Sequence, residues 1–245
     1  MRPTILNGHE RPITRIIYNC DGDLIFTAAK NQSVCVWYSV NGERLGTYDQ
    51  HDGAVWWLDV DWTTTMLLTA SADWSCKIWD VETGKSTNTY NTANPVRTCG
   101  ISYCGNLIFI TTDDTGKKNC EVIALDKRDS SHLFSAYDLD CIRTYTTERP
   151  INSAAISPNR DHVLLGGGQE AHEVTTTAVG QGKFDVRFYH LIYEEEFGRV
   201  KGHFGPVNSV AFSPDGSGFA TGGEEGYVRL HTFDSEYNDL DQRLF

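Results

Sequence analysis

The sequence lacks any apolar run long enough to cross a membrane as a helix. Its first residues, Met1-Arg2-Pro3-Thr4, carry no apolar stretch of the kind that heads a secretory signal. There is no CxxC pair, and the seven cysteines (Cys20, Cys35, Cys76, Cys99, Cys104, Cys120, Cys141) are odd in number. That pattern disfavours both a disulfide framework and a zinc site. It fits reduced core thiols in strand-like runs such as Val34-Cys35-Val36 and Cys76-Lys77-Ile78, and the cytoplasm as the expected compartment. Positive charge is also short: 21 Lys and Arg stand against 33 Asp and Glu, a net charge of −12. An acidic surface repels phosphate backbones and anionic membranes. Neither membrane binding nor direct sequence-specific nucleic-acid binding is expected, and basic protein partners are favoured.

Helical periodicity is missing at any useful length, and so are the signatures of catalysis. No HExxH, GxSxG or Cys/His ligand spacing occurs. The run Gly166-Gly167-Gly168-Gln169 lacks the Gly-Lys-Ser/Thr ending that sets a lysine on phosphate, and no helix follows to offer its N-terminus. Glu194, Glu195 and Glu196 are consecutive, and neighbours on a strand point to opposite faces, so the three carboxylates do not converge; a solvated turn is expected. His162 and His172 are too isolated to build a triad. No catalytic residue, metal site or cofactor is expected.

What is present is a repeat. Five segments begin alike, at the β-branched anchors Ile13, Val55, Val96, Ile151 and Val207. The first intervals match a blade of four antiparallel strands, about 40–45 residues. Each unit has a first strand after its anchor, as over 207–213, and then a turn such as Pro214-Asp215-Gly216 or Cys20-Asp21-Gly22-Asp23. Second strands fall at 24–28, 66–70, 107–111, 163–166 and 219–221. Third strands fall at 34–37, 76–79, 120–125, 186–190 and 228–233. An outer strand comes last, as over 44–48 after the Asn41-Gly42 turn. Strands of this length between turn signals define an all-β fold, here a β-propeller spanning 1–245 as a single domain.

The chain resembles WD repeats at particular residues: Gly8-His9, Gly202-His203, His51 without its glycine, Trp79-Asp80, and the variant Trp37-Tyr38. The resemblance makes His51, Thr69 (or Ser71), Asp73 and Trp79 a buried polar tetrad. An imidazole between a carboxylate and a hydroxyl satisfies groups that would each cost about 1–3 kcal/mol if buried alone. The first unit has Asn31 in the place of Asp73. The last has Glu225 and His231 in place of Asp73 and Trp79. The third and fourth lack the histidine, having Asn94-Pro95 and Arg149-Pro150. Tetrads are expected to be weak or absent in these four units. The segment Thr4-Ile5-Leu6 reads as an outer strand and the last unit has no obvious fourth strand, so Ile5 and Leu6 are expected to pair beside residues 228–232 and remove an exposed sheet edge.

Three longer stretches are more specific: Val36-Trp37-Tyr38-Ser39-Val40-Asn41-Gly42-Glu43-Arg44-Leu45-Gly46-Thr47-Tyr48; Gly166-Gly167-Gly168-Gln169-Glu170-Ala171 with Val174-Thr175-Thr176-Thr177; and Glu194-Glu195-Glu196-Phe197-Gly198-Arg199-Val200 leading into Gly202-His203-Phe204-Gly205-Pro206. In these the chain resembles subunit I of eukaryotic translation initiation factor three. The resemblance implies a non-catalytic scaffold subunit that docks subunits B and G, joins the small ribosomal subunit within the complex, and supports messenger-RNA scanning. It also implies seven blades, whereas five repeats are visible. The shortfall of about two repeats falls near 137–143, where residues 132–137 read as the outer strand of the third unit and 142–146 as a second outer strand. The resemblance places much of the contact to the first of the two docked subunits in the part absent here.

Two surfaces invite a partner. The inserted stretch 167–183, opening at Gly166, Gly167, Gly168, Gln169 and Glu170, is the candidate contact loop, because long loops concentrate function; its bland counterpart is a turn between strands. Trp56, Trp57, Trp62 and Trp74 are the second, either as an exposed aromatic rim or as packing between blades. Rival readings are a WD-repeat adaptor in another pathway and a propeller hydrolase, which would need converging carboxylates or a nucleophile-base pair on the central channel.

Overall fold

In the computed structural model, residues 3–103, 105, 107–112, 125–126, 130–134, 141–147, 149–168 and 184–238 are described. Each anchor opens an innermost strand and is buried there. In the first unit β2 (Ile13–Tyr18) pairs with β3 (Leu24–Ala29), then β4 (Val34–Tyr38) and β5 (Arg44–Tyr48). The second repeats the order with β6 (Val55–Val60), β7 (Met66–Ser71), β8 (Ser75–Asp80) and β9 (Ser86–Asn91). The third unit is described as the pair β10 (Val96–Ile101) and β11 (Ile108–Thr112), and a three-stranded sheet follows, β12 (Leu125–Asp126), β13 (Ser130–Phe134) and β14 (Cys141–Thr146). The fourth unit is β15 (Ile151–Ile156), β16 (His162–Gly167), β17 (Asp185–His190) and β18 (Glu196–Lys201). The last is β19 (Val207–Phe212), β20 (Gly218–Gly223) and β21 (Val228–Thr232), completed at its outer edge by β1 (Thr4–Leu6).

That last pairing matches the sequence reading. β1 runs antiparallel to β21 with Thr4 opposite Leu230, Ile5 opposite Arg229 and Leu6 opposite Val228. Leu6 is buried in one cluster with Ile13, Ile16, Ile25, Trp37 and Val228, so the closing strand also fastens the first unit to the last. The Asn41-Gly42 turn needs glycine for two reasons. Its φ is 71°, and a Cβ there would lie 2.6 Å from Leu6 Cδ2.

The units join by one device used repeatedly. The ladder between first and second strands slips once in all five units, between Ile13 and Arg15, Val55 and Trp57, Val96 and Thr98, Ile151 and Ser153, and Val207 and Ser209. The skipped residue of such a bulge is free to re-aim its side chain. Asn152 donates to Val207 O (3.2 Å), Asn208 to Ile13 O (3.1 Å) and Thr14 to Val55 O (2.8 Å). Each therefore ties its own unit to the anchor of the next. A second stitch runs through backbone amides: Val210 N donates to Ser153 Oγ (3.1 Å), Ile16 N to Ser209 Oγ (3.0 Å) and Ile101 N to an Asp59 carboxylate oxygen (2.8 Å). Opposite the bulge in four of the five units the second strand carries a small residue, Ala28, Ala70, Gly166 or Gly222, and in the third it carries Thr111. A Cβ on Gly166 would come within 2.6 Å of Val210 Cγ1, and one on Gly222 within 2.6 Å of Ile13 Cγ2. Small residues there let the next innermost strand approach. The innermost strands thus stand side by side in the order β10, β6, β2, β19, β15.

The region after the third unit differs from expectation. Residues 132–134, read as part of the outer strand of the third unit, lie instead in β13, while 142–146 form the outer strand read there; residues 135–137 lie outside the described residues. β13 and β14 are antiparallel neighbours, from Ser130 opposite Thr146 to Phe134 opposite Cys141, in a sheet that lies against β15. β14 is the outer strand and β13 the strand inside it. Residues 120–124, read as most of a third strand, lie outside the described residues.

Candidate docking surface

The polar chain of the second unit forms around a single hydroxyl. His51 Nδ1 lies 2.7 Å from Asp73 Oδ2 and His51 Nε2 lies 2.7 Å from Thr69 Oγ, while Trp79 Nε1 donates to that same Oγ over 2.9 Å. Burial pushes the His51 pKa down despite Asp73, so the ring is neutral. Burial opposes ionisation of Asp73 too, but hydrogen bonds from Ser75 and His51 outweigh it and hold its carboxyl below the usual range. With Asp73 ionised, Nδ1–H donates to it, Nε2 accepts from Thr69, and Thr69 accepts from Trp79. The histidine is therefore committed to tying the loop before β6 to β7 and β8. Ser71, the alternative to Thr69, instead donates toward Gly53 O and Ala54 O and accepts from Asp73 N.

The first and last units keep more of this network than their sequences imply. In the first, His9 Nε2 meets Thr27 Oγ at 2.7 Å and Trp37 Nε1 donates to it over 2.9 Å; only the Asn31 end is long, at 3.4 Å. In the last, the longer Glu225 side chain still reaches His203 Nδ1 (2.5 Å), and His203 Nε2 meets Thr221 Oγ at 2.7 Å. His231, standing where Trp79 stands, makes no bond to that hydroxyl; its ring lies flat on Phe219, centroids 4.6 Å apart.

The candidate contact loop is corrected in part. Gly166 and Gly167 belong to β16 and Gly168 follows it, and all three are buried. A Cβ on Gly167 would fall 2.1 Å from Pro150 O. The absence of a Cβ at Gly166 and Gly167 serves close packing, while Gln169 and Glu170 lie outside the described residues. Glu196 is likewise more than a solvated turn. It sits 3.7 Å from the buried Arg187, which also meets Asp185 at 3.6 Å, and it accepts from Tyr189 OH at 3.2 Å. The tryptophans divide. Trp57 and Trp56 are half-buried under the guanidinium groups of Arg15 (4.0 Å) and Arg97 (4.8 Å), whereas Trp62 and Trp74 are exposed.

Sequence reasoning missed the bulge residues Thr14, Asn152 and Asn208. Their signal was present, a polar residue directly after the anchors Ile13, Ile151 and Val207. It also missed the helical turn Ser235–Asn238, which seats Tyr237 between the fourth and last units. Tyr237 stacks on Phe233 (3.7 Å) and its hydroxyl lies 2.6 Å from His162 Nδ1, filling one lateral groove with the chain's own tail. Among the described residues no group of three or more His, Cys, Asp or Glu gathers in a geometry that could hold a metal ion.

Radial four-stranded sheets with a His-hydroxyl-Trp chain define a WD-repeat protein. In agreement, the family described as "WD domain, G-beta repeat" matches residues 2–38, 42–80 and 195–232. The chain is 44% identical over 322 aligned positions to "Eukaryotic translation initiation factor 3 subunit I" of Xenopus tropicalis, covering 98% of this chain and 99% of the relative. The human protein of the same name matches at the same identity and coverage, and the Danio rerio protein is 42% identical over the same span. The chain belongs to the family of subunit I of eukaryotic translation initiation factor 3. Because 322 aligned positions face 245 residues, at least 77 positions of the alignment have no residue in this chain.

Proposed function

We propose that this chain is a non-catalytic, cytoplasmic scaffold subunit of the initiation factor 3 complex. It docks subunits B and G and so supports recruitment of the small ribosomal subunit and scanning of messenger RNA. Membership of the subunit I family carries the reading. The stitched joints support it, because a scaffold must present its partners' sites at fixed spacing. His9, His51 and His203 also support it, because each is committed to a structural hydrogen-bonded chain.

We further propose that the chain is one propeller domain lacking about two of seven repeats, with the gap near 137–143. The excess of aligned positions over residues supports this. A tagged copy of the chain, expressed in eukaryotic cells and purified at moderate salt, recovers subunits B and G with the rest of the factor. Recovery of other proteins with no initiation-factor subunit overturns the reading in favour of an adaptor elsewhere.

A further inference from the structure

The C-terminal ends of β2, β6 and β10 converge with the turn after β19 around a cleft of about 470 Å³. Tyr18, Asp59, Asp61, Trp62, Tyr103 and Pro214 are among the residues lining it. Trp62 and Tyr103 stand at its lip from adjacent units. They are 58% and 78% exposed, with ring centroids 5.1 Å apart and planes tilted by 53°. Two large aromatic rings held together in water are costly unless something covers them. The joint between these units has its hydrogen bond deeper down, from the Ile101 amide to Asp59.

The charge of the wall indicates what covers them. Asp59 and Asp61 lie in the lining, and Asp215 is close enough to Tyr18 to act on its phenol. The Arg15 guanidinium that faces Asp59 is stacked on Trp57. Burial holds the Asp59 carboxyl above its usual range, and a cation entering the cleft would relieve that. We propose that this cleft receives an arginine or lysine side chain from an extended segment of a protein partner. Its head lies over the faces of Trp62 and Tyr103 and its stem lies along the apolar wall. Aromatic faces beside carboxylates attract cations, whereas the same carboxylates and the net charge of −12 repel a phosphate backbone. The proposal stands whether or not subunits B and G bind.

The test uses the full 245-residue chain labelled with nitrogen-15 and reads its tryptophan indole resonances. Trp62→Ala identifies the resonance of Trp62 and, the ring being exposed, leaves the other indole signals in place. N-acetyl-Gly-Arg-Gly-amide shifts the Trp62 signal saturably, with a dissociation constant on the order of 1 mM. Binding weakens about threefold or more between about 50 and about 300 mM salt. Tyr103→Ala weakens it about fivefold or more; Trp74→Ala, exposed outside the cleft, leaves it unchanged. The glutamate and leucine counterparts do not compete. Equal binding of the leucine peptide, tighter binding of hexauridine, or no shift at any concentration overturns the proposal.

Discussion

Thr69→Val keeps the volume of the side chain and removes only the hydroxyl on which the second unit's polar chain turns. Two buried groups then lose their partner: the Trp79 indole N–H, which donates to Oγ over 2.9 Å, and His51 Nε2, 2.7 Å away. Thr69 and Trp79 are essentially inaccessible to water and His51 nearly so. At about 1–3 kcal/mol for each orphaned group, the substitution costs about 2–6 kcal/mol. Thr221→Val in the last unit provides the internal standard. Its hydroxyl meets His203 Nε2 at 2.7 Å but no indole, since His231 lies on Phe219 instead. That substitution orphans one group and costs about 1–3 kcal/mol. Urea unfolding at pH 7.5, followed by tryptophan fluorescence and by far-ultraviolet circular dichroism, gives both midpoints; coincidence of the two probes checks that unfolding is two-state. Thr27→Val, with both a histidine and an indole on its hydroxyl, falls with Thr69→Val. A loss for Thr221→Val equal to or above that for Thr69→Val would refute the counting of orphaned groups.

Burial pushes His9 down to about 4, and burial together with the charges of His203 and Arg229 does the same to His231. Both are neutral in the fold, while the unfolded chain protonates each near pH 6.5; stability is full above that pH and drains as pH falls toward 4, by up to about 1.4 kcal/mol per pH unit for each histidine. His231→Phe keeps the stacking on Phe219 and flattens this acid loss, and an unchanged slope of urea midpoint against pH between 7.5 and 5 would count against it. Leu6→Ala removes a side chain that is 2% exposed at the seam between first and last units, and costs about 2–5 kcal/mol in the same unfolding experiment; a loss below about 1 kcal/mol would mean that the N-terminal strand does not hold the last blade. Asn208→Ala severs the donation to Ile13 O, lowering stability by about 0.5–1.5 kcal/mol, and the exposed control Val40→Ala is close to neutral by comparison; equal effects would discount the bulge stitch. Sequencing the transcript across the codons for 137–143 finds the junction where the additional repeats of the family are missing; an uninterrupted family sequence elsewhere would move the gap.

The repeat was legible because its signals are local. A β-branched anchor, a turn rich in Asp and Gly and a third strand ending in an aromatic recur at similar spacing, and each maps to one blade. The tetrad of His51, Thr69, Asp73 and Trp79 could be aligned for the same reason. The joints were less legible. The anchor Val207 can be seen in the sequence, but that Asn208 bulges out to bond Ile13 O depends on the ladder slip, a property of two strands and a neighbouring blade. The glycines from Gly166 to Gly168 misled for a related reason. A glycine run reads as an open loop, and it takes the approach of Val207 and Val210 to Gly166, and of Pro150 O to Gly167, to show that the absence of Cβ serves packing. The persistence of the His203 chain was hidden because residue identity does not convey that one extra methylene lets Glu225 reach where an aspartate is usual.

The outer strands reveal where the arc is interrupted. Tyr48, at the end of β5, donates its hydroxyl to Val81 O in the second unit (3.2 Å) and packs edge-on against Trp79. Tyr145 in β14 does the same to the fourth unit, donating to Leu191 O (2.7 Å) and packing edge-on against Tyr189, which stands where Trp79 stands. The two contacts are one contact made twice: the last tyrosine of an outer strand reaches the turn after the third strand of the next blade. β14 therefore docks on the fourth unit as the outer strand of the blade before it. Tyr90, at the matching place in β9, is 63% exposed, so the second unit makes no such contact toward the third among the described residues. The chain is therefore stitched from the third unit through the second, first and last to the fourth, and β14 continues it by one outer strand. Sequence lost between the third unit and β14 falls at a joint that none of these stitches spans among the described residues, and an arc can be shortened there without breaking any of the seams described.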